Sequence, residues 1–224
     1  MSEVKPGRKL FRMVGLLFPL LYLLGDAAGS GYGWITVSSL LVLLLAFMIG
    51  LEYARFRRPG VNRWLFERFG AFTKEKERTR ASSTTLYLLS CLLSVLLFNK
   101  GVAIASMLCL LFGDPVAELV GTRWGRTPIM GKSVEGTLAG LAACLLATAP
   151  LAAAPLGLSI AVVLCGAVAA TLFELLPLPV DDNFSIPLGA GAVMTVVQAA
   201  GVGGDGGRLI LSPLLEELLR AGGT

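Results

Sequence analysis

The chain contains no histidine. That single absence removes Ser-His and Cys-His nucleophilic catalysis, histidine zinc sites and a histidine general base. Any chemistry must use carboxylates, cations, hydroxyls and backbone amides. Charge is also scarce. Only 15% of the 224 residues are Asp, Glu, Lys or Arg, against about 25% in a soluble domain. Cysteine is limited to Cys91, Cys109, Cys144 and Cys165, all inside apolar runs and without a CxxC pair. A disulfide framework or thiolate metal cluster is therefore not expected, and small buried thiols are.

What is present is oil. Hydrophobic residues make up 55% of the chain and the mean hydropathy is +0.76. A membrane-crossing helix needs about 20 mostly apolar residues. Seven runs qualify as candidate spans: Leu10–Leu24, Trp34–Tyr53, Leu86–Phe98, Val102–Val120, Thr137–Pro155, Leu158–Leu178 and Phe184–Val202. The expectation is an all-α polytopic membrane protein of about seven helices. Residues 1–224 form a single membrane-embedded domain, with no room for a separate soluble one. The start, basic residues followed by "MVGLLFPLLYLL" and "GDAAGS", has the outline of a signal peptide. With six further runs behind it, a retained first helix is the better reading.

Positive charge sets orientation. If seven helices alternate, all Lys and Arg except Lys100, Arg208 and Arg220 fall on one side. The N-terminus is then cytoplasmic and the C-terminus is not. The segment at about 55–83 carries Trp64, Leu65, Phe66, Phe69 and Phe72 among nine cations and reads as an interfacial amphipathic helix, or as a loop that only obeys the positive-inside rule. "LILSPLLEELLR" near the C-terminus has the same character.

One polar stretch interrupts the oil: "GDPVAELVGTRWGRTPIMGKSVEG", residues 113–136. Asp114 ends an apolar run, where an unpaired charge is costly. Continued as helix, Asp114, Glu118 and Gly121 fall on one face. Two carboxylates above a glycine suit a magnesium ion and a closely approaching phosphate. Gly121, Gly125 and Gly131 can bring backbone amides to an anion, Arg123, Arg126 and Lys132 add positive charge, and Ser133 can cap the next helix. The bland alternatives are close helix packing for the glycines, as the small-xxx-small spacing of "GTLAG" suggests, and topology-setting for the cations. "GRTPIMGKS" is not a P-loop, because one residue too many separates Gly125 from Gly131 and no strand precedes it.

A second polar group, "ELLPLPVDDNFSIP", places Glu174 inside the sixth span and Asp181, Asp182 and Asn183 at its end. Alone, Asp-Asp-Asn is an ordinary turn and N-cap. On the same membrane face as residues 113–136, it offers further oxygen ligands. Glu174 needs a partner if buried.

In order along the chain, "RKLFR", "GDPVAELVGTRWG" with "GKSVEGTLAG", and "DDNFSIPLGAG" resemble the motifs of the membrane-embedded CTP-dependent lipid kinases: dolichol kinase, phytol kinase and yeast-type diacylglycerol kinase. "KEKERTRASSTTLYLLSCLL" also resembles that family's entry to its third span. The central signature is similar in phosphatidate cytidylyltransferases, but those carry a His-Gly-Gly run and this chain has no histidine. The kinases often have histidine where Arg12 stands here. The resemblance implies transfer of the γ-phosphate of CTP to the hydroxyl of a polyprenol, phytol or diacylglycerol. It implies Asp114, Asp181, Asp182 and Asn183 as magnesium ligands, with Arg126, Lys132, Ser133 and the glycine backbone on the triphosphate. Glu135 or Glu118 would be the base and Glu174 a supporting acid. Arg8 and Lys9 would hold nucleotide or phosphorylated product.

Two other readings compete: a CTP:phosphatidate cytidylyltransferase, and a non-catalytic transporter or scaffold with intramembrane acids. The transporter reading calls for repeated halves, and the first half has no counterpart of residues 113–136. The expected partners are CTP, a lipid alcohol and membrane lipids, without nucleic acid. The short chain suits a prokaryotic plasma membrane.

Overall fold

The computed structural model describes residues 14–25, 33–69 and 79–201, together with Leu214. Arg8, Lys9 and Arg12, the stretch 70–78 and the C-terminal apolar segment lie outside these, apart from Leu214. The described chain is almost entirely helical, as backbone that cannot reach water must be. Its helices are α1 (Leu17–Gly25), α2 (Gly33–Arg57), α3 (Pro59–Phe69), α4 (Ser83–Leu97), α5 (Lys100–Leu108), α6 (Asp114–Trp124), α7 (Val134–Thr148), α8 (Ile160–Leu175) and α9 (Asp182–Ala199). A π-helical turn, Cys109–Gly113, joins α5 to α6, and a 3-10 turn, Ala149–Ala153, extends α7.

Among the described residues, three helices are long and apolar enough to cross a membrane: Gly33–Arg57, Lys100–Trp124 and Val134–Ala153. Ser83–Leu97 and Ile160–Leu175 are shorter apolar helices. The described part of every apolar run in the sequence is helical, with ends shifted by a few residues. The composite helix Lys100–Trp124 is the central pole, with 67% of its apolar window buried, against 22% for Gly33–Arg57 and 28% for Val134–Ala153. Those outer helices expose Leu43, Phe47, Ile49 and Leu146, the surface expected against lipid tails.

Most helices start on a polar cap. Ser82, Asn99, Ser133, Ser159 and Asp181 each accept a bond from a backbone N–H of the first turn, worth about 1 kcal/mol apiece. Direction along the bundle follows from the contacts. α4 and α9 run parallel, with Ser90 Oγ donating to the Asn183 carbonyl (2.7 Å) and Phe98 packed on Gly191. α8 packs antiparallel to α9, with Met194 on Gly166 and Phe173 on Gly189. As a result the end of α6, the start of α7, the end of α8 and the start of α9 meet at one end of the bundle. Both polar stretches of the sequence lie there.

Candidate functional site

The stretch 113–136 is built on a close helix pair. α6 and α7 run antiparallel and touch through small residues. A Cβ on Gly113 would fall 2.5 Å from Cys144 Sγ, one on Gly140 2.9 Å from Ala117 Cβ, and one on Gly136 2.7 Å from the Ala117 carbonyl oxygen. Gly121 faces Gly136, and a Cβ on Gly125 would fall 2.6 Å from Ser133 Oγ. Gly121 and Gly125 thus serve close packing, whatever else their amides meet. Asp114 follows the π turn directly. Pro115 has no N–H to offer the Leu111 carbonyl, and widened turns of this kind recur at functional sites. Asp114 is buried at the head of α6.

Between α6 and α7 the chain makes a small antiparallel hairpin, Pro128–Ile129 against Lys132–Ser133. Its two-residue loop, Met130-Gly131, has positive φ at both positions, 47° and 82°, the type I′ geometry that suits strand twist. Glu135 holds the hairpin from below. Its carboxylate accepts bonds from the N–H of Arg126 (3.0 Å), the N–H of Thr127 (3.1 Å) and the Thr127 hydroxyl (3.1 Å). Ser133 caps α7 through the Gly136 N–H (3.1 Å).

The hairpin swings Lys132 toward α8 and α9. Its ammonium lies 2.7 Å from Glu174 Oε1 and 3.7 Å from Asp182 Oδ2, and also donates to the Glu174 carbonyl. Glu174 is buried near the end of α8, and its other oxygen, Oε2, has no hydrogen-bond partner among the described residues. The like charges of Asp114 and Asp182 also act on this carboxylate. A buried acid and a more exposed one meeting one shared cation form a high-stakes arrangement, since the buried carboxylate is stable only while its charge is compensated.

Asp181 and Asn183 have a local role. Asp181 Oδ1 accepts from the Asn183 N–H (3.1 Å) and from Asn183 Nδ2 (2.6 Å), capping α9. Asp182 points to Lys132 instead. The turn reading of Asp-Asp-Asn therefore describes the outer two residues, and the middle one joins the ion cluster.

The ion cluster and the α9 cap border a cavity of about 790 Å³. Of the residues singled out from the sequence, Asp114, Glu118, Gly121, Gly125, Arg126, Lys132, Ser133, Glu174, Asp181, Asp182 and Asn183 line it. Glu135 does not, being turned onto the hairpin backbone. Arg123 is exposed and stacks over Trp124 at 5.2 Å. Gly131 lines it too, as do Thr122 and Thr137, and apolar lining comes from Leu175, Leu176, Pro177, Leu178 and Val180 and from Pro128 and Met130 of the hairpin.

The donor set bears on magnesium. Among the described residues, no three Asp, Glu, Cys or His side chains are grouped to hold a metal by themselves. The hard oxygens of Asp114, Glu174 and Asp182 around one cavity, with Glu174 Oε2 unpartnered, do fit an ion held by one or two carboxylates and completed by phosphate oxygens, as magnesium commonly is.

Sequence reasoning missed the hairpin and the ion cluster's geometry. Met130 disguised the type I′ turn, since Asn or Asp usually precedes the glycine. It also missed the tie that orders the segment before α4. Glu52 Oε1 accepts from the Ser82 N–H (2.6 Å) and the Thr85 hydroxyl (2.8 Å), while Arg55 donates to the Arg80 carbonyl (2.6 Å). Within the amphipathic segment, Pro59–Phe69 does form a helix, α3, with Trp64 exposed.

No family model matches the chain, and no solved structure matches it. Over 188 residues it is 27% identical to "Uncharacterized protein RP860" of Rickettsia prowazekii (strain Madrid E), an alignment covering 81% of this chain and 88% of that protein.

Proposed function

We propose that this protein is a CTP-dependent lipid kinase, transferring the γ-phosphate to the hydroxyl of a membrane alcohol such as a polyprenol, phytol or diacylglycerol. The observation that carries the reading is the single cavity in which Asp114, Glu118, Arg126 and Lys132 meet Glu174 and Asp182 from the other half of the chain. Cations and carboxylates facing one space at the end of an apolar bundle suit phosphoryl transfer, which is mainly positioning and charge neutralisation. The resemblance of "GDPVAELVGTRWG…GKSVEG" and "DDNFSIP" to that kinase family supplies the nucleotide and acceptor class.

In this reading Lys132 and Arg126 bind the triphosphate, with the α7 N-terminus at Ser133 as a further anion seat. One or two of Asp114, Glu174 and Asp182 would hold a magnesium ion, which would supply charge neutralisation for the departing CDP. The acceptor oxygen forms a bond to the γ-phosphorus while the bond from that phosphorus to the β–γ bridging oxygen breaks. The acceptor proton passes to Glu118, the cavity-lining alternative to Glu135. Arg8 and Lys9 stay assigned to nucleotide or product. Seven helices cross a prokaryotic plasma membrane, the cavity opening toward the cytoplasm together with the N-terminus. The bacterial relative is in keeping with that setting.

The test is a micelle assay with magnesium and CTP labelled at the γ- or the α-phosphate, offering polyprenol, phytol, diacylglycerol and phosphatidate together. Label from the γ position in an alcohol-derived lipid phosphate supports the reading. Label from the α position in a CDP-lipid would identify a cytidylyltransferase instead. Silence with CTP, ATP and GTP alike would favour a non-enzymatic protein.

A further inference from the structure

The loop between α8 and α9 has the wrong chemistry for a surface turn. Turns at a membrane–water border are usually polar, but after Leu175 this one reads Leu-Pro-Leu-Pro-Val before the first aspartate. It is not a continuation of the helix, which ends at Leu175. Pro177 and Pro179 fix φ and hold the residues before them extended, so the segment is rigid rather than collapsible. Its side chains do not close onto the core. Leu176, Leu178 and Val180 remain 40%, 38% and 46% exposed while bordering the cavity.

The hairpin brings further apolar side chains to the same cavity. Met130, at the hairpin tip, is 60% exposed and held at φ 47°, a left-handed conformation uncommon for a residue other than glycine. It lines the same cavity, with Pro128 beside it. The cavity therefore combines an ion cluster, Lys132 with Glu174 and Asp182, with exposed apolar side chains carried on two elements. The phosphates of a nucleotide match the charged groups and leave the apolar ones without an occupant, and so does a water-soluble acceptor.

We infer that Leu176, Leu178 and Val180, together with Met130, form the subsite for the hydrocarbon chain of the acceptor, admitting a long-chain membrane alcohol with its hydroxyl toward Lys132 and Glu174. The inference rests on the phosphoryl-transfer reading for the chemistry at the hydroxyl, but chain binding is measurable without it. The rigid prolines preorganise the wall, so chain recognition costs little ordering.

Two experiments on the full-length protein test it. The first compares γ-phosphate transfer from CTP to a long-chain alcohol and to its short-chain, water-soluble analogue, in wild type and in Leu178→Trp and Val180→Trp. The ratio of kcat/KM for long over short acceptor should fall at least tenfold, and an unchanged ratio would overturn the subsite. The second uses a long-chain alcohol carrying a diazirine near mid-chain, photolysed in micelles and mapped by mass spectrometry. Adducts at 176–180 and 128–130 are expected, competed by unlabelled long-chain alcohol. Adducts only on the lipid-facing helices would overturn the subsite even if transfer is seen. Adducts at 176–180 and 128–130 without transfer from any nucleotide would leave the subsite standing and sink the kinase reading.

Discussion

The two ends of the bundle both bury polar side chains, yet they satisfy them in opposite ways. At the end away from the cavity, Asn99 Nδ2 donates to Gln198 Oε1 (2.6 Å), Gln198 Nε2 donates to the Gly157 carbonyl (2.6 Å), and Asn99 Oδ1 accepts from the Val102 N–H (3.0 Å). Lys100 donates to the Leu23 carbonyl (3.3 Å) and lies 5.7 Å from the Tyr22 ring. Asn99 and Gln198 satisfy one another there, and these contacts tie α1, α5, α9 and the loop before α8 together. At the other end one lysine is shared by two acids, a buried carboxylate oxygen has no partner, and about 790 Å³ stands open beside them. Closed polar networks in an apolar bundle are architecture, whereas incompletely compensated charge around a cavity points to a ligand.

Removing a charge from the open end should have the largest effect. Lys132→Ala, and separately Asp114→Asn, should lower γ-phosphate transfer by about 10²–10³-fold, the scale of losing one preorganised charged group at a reacting phosphate. Near-normal turnover of either variant in a purified assay would erase the distinction between the two ends. Next comes the packing that both ends share. In Gly136→Val, crowding against the Ala117 carbonyl should cost about 1–3 kcal/mol, read as a lower thermal midpoint with activity lost in parallel.

The closed end should respond in stability and not in chemistry. Asn99→Ala leaves Gln198 Oε1 without its donor and should destabilise by about 1–3 kcal/mol, while kcat at a temperature where the variant stays folded changes less than twofold. A large loss of kcat there would mean the far end takes part in the reaction. The smallest effect is expected at Glu135→Gln. One hairpin contact weakens by about 1 kcal/mol, so amide exchange in residues 126–133 should rise about fivefold. A far greater loss of transfer with exchange unchanged would restore Glu135 as the base.

Much of this contrast was legible in the sequence because the chemistry of spans is coarse. Runs of Leu, Ala and Val in this chain leave few options but helices, and charges such as Asp114, Glu118 and Glu174 stand out against them. What was not legible depended on shape. Gly121 and Gly125 read equally as anion-binding or packing glycines, and only the approach of α7 to α6 distinguishes the second role. Leu176, Leu178 and Val180 merged with the apolar run before them, although Pro177 and Pro179 were the available stop signal. Asn99 and Gln198, 99 positions apart, carry no local pattern that pairs them.

The most direct test of the central claim, that the open end is a nucleotide site, is a hydrogen-exchange footprint of the full-length protein with and without CTP and magnesium. Protection should appear in residues 125–133 and 176–183 together, be lost in Lys132→Ala, and leave residues 97–103 and 156–160 unchanged. Protection confined to the Asn99–Gln198 end, or no nucleotide-dependent protection in either cavity segment, would contradict the account.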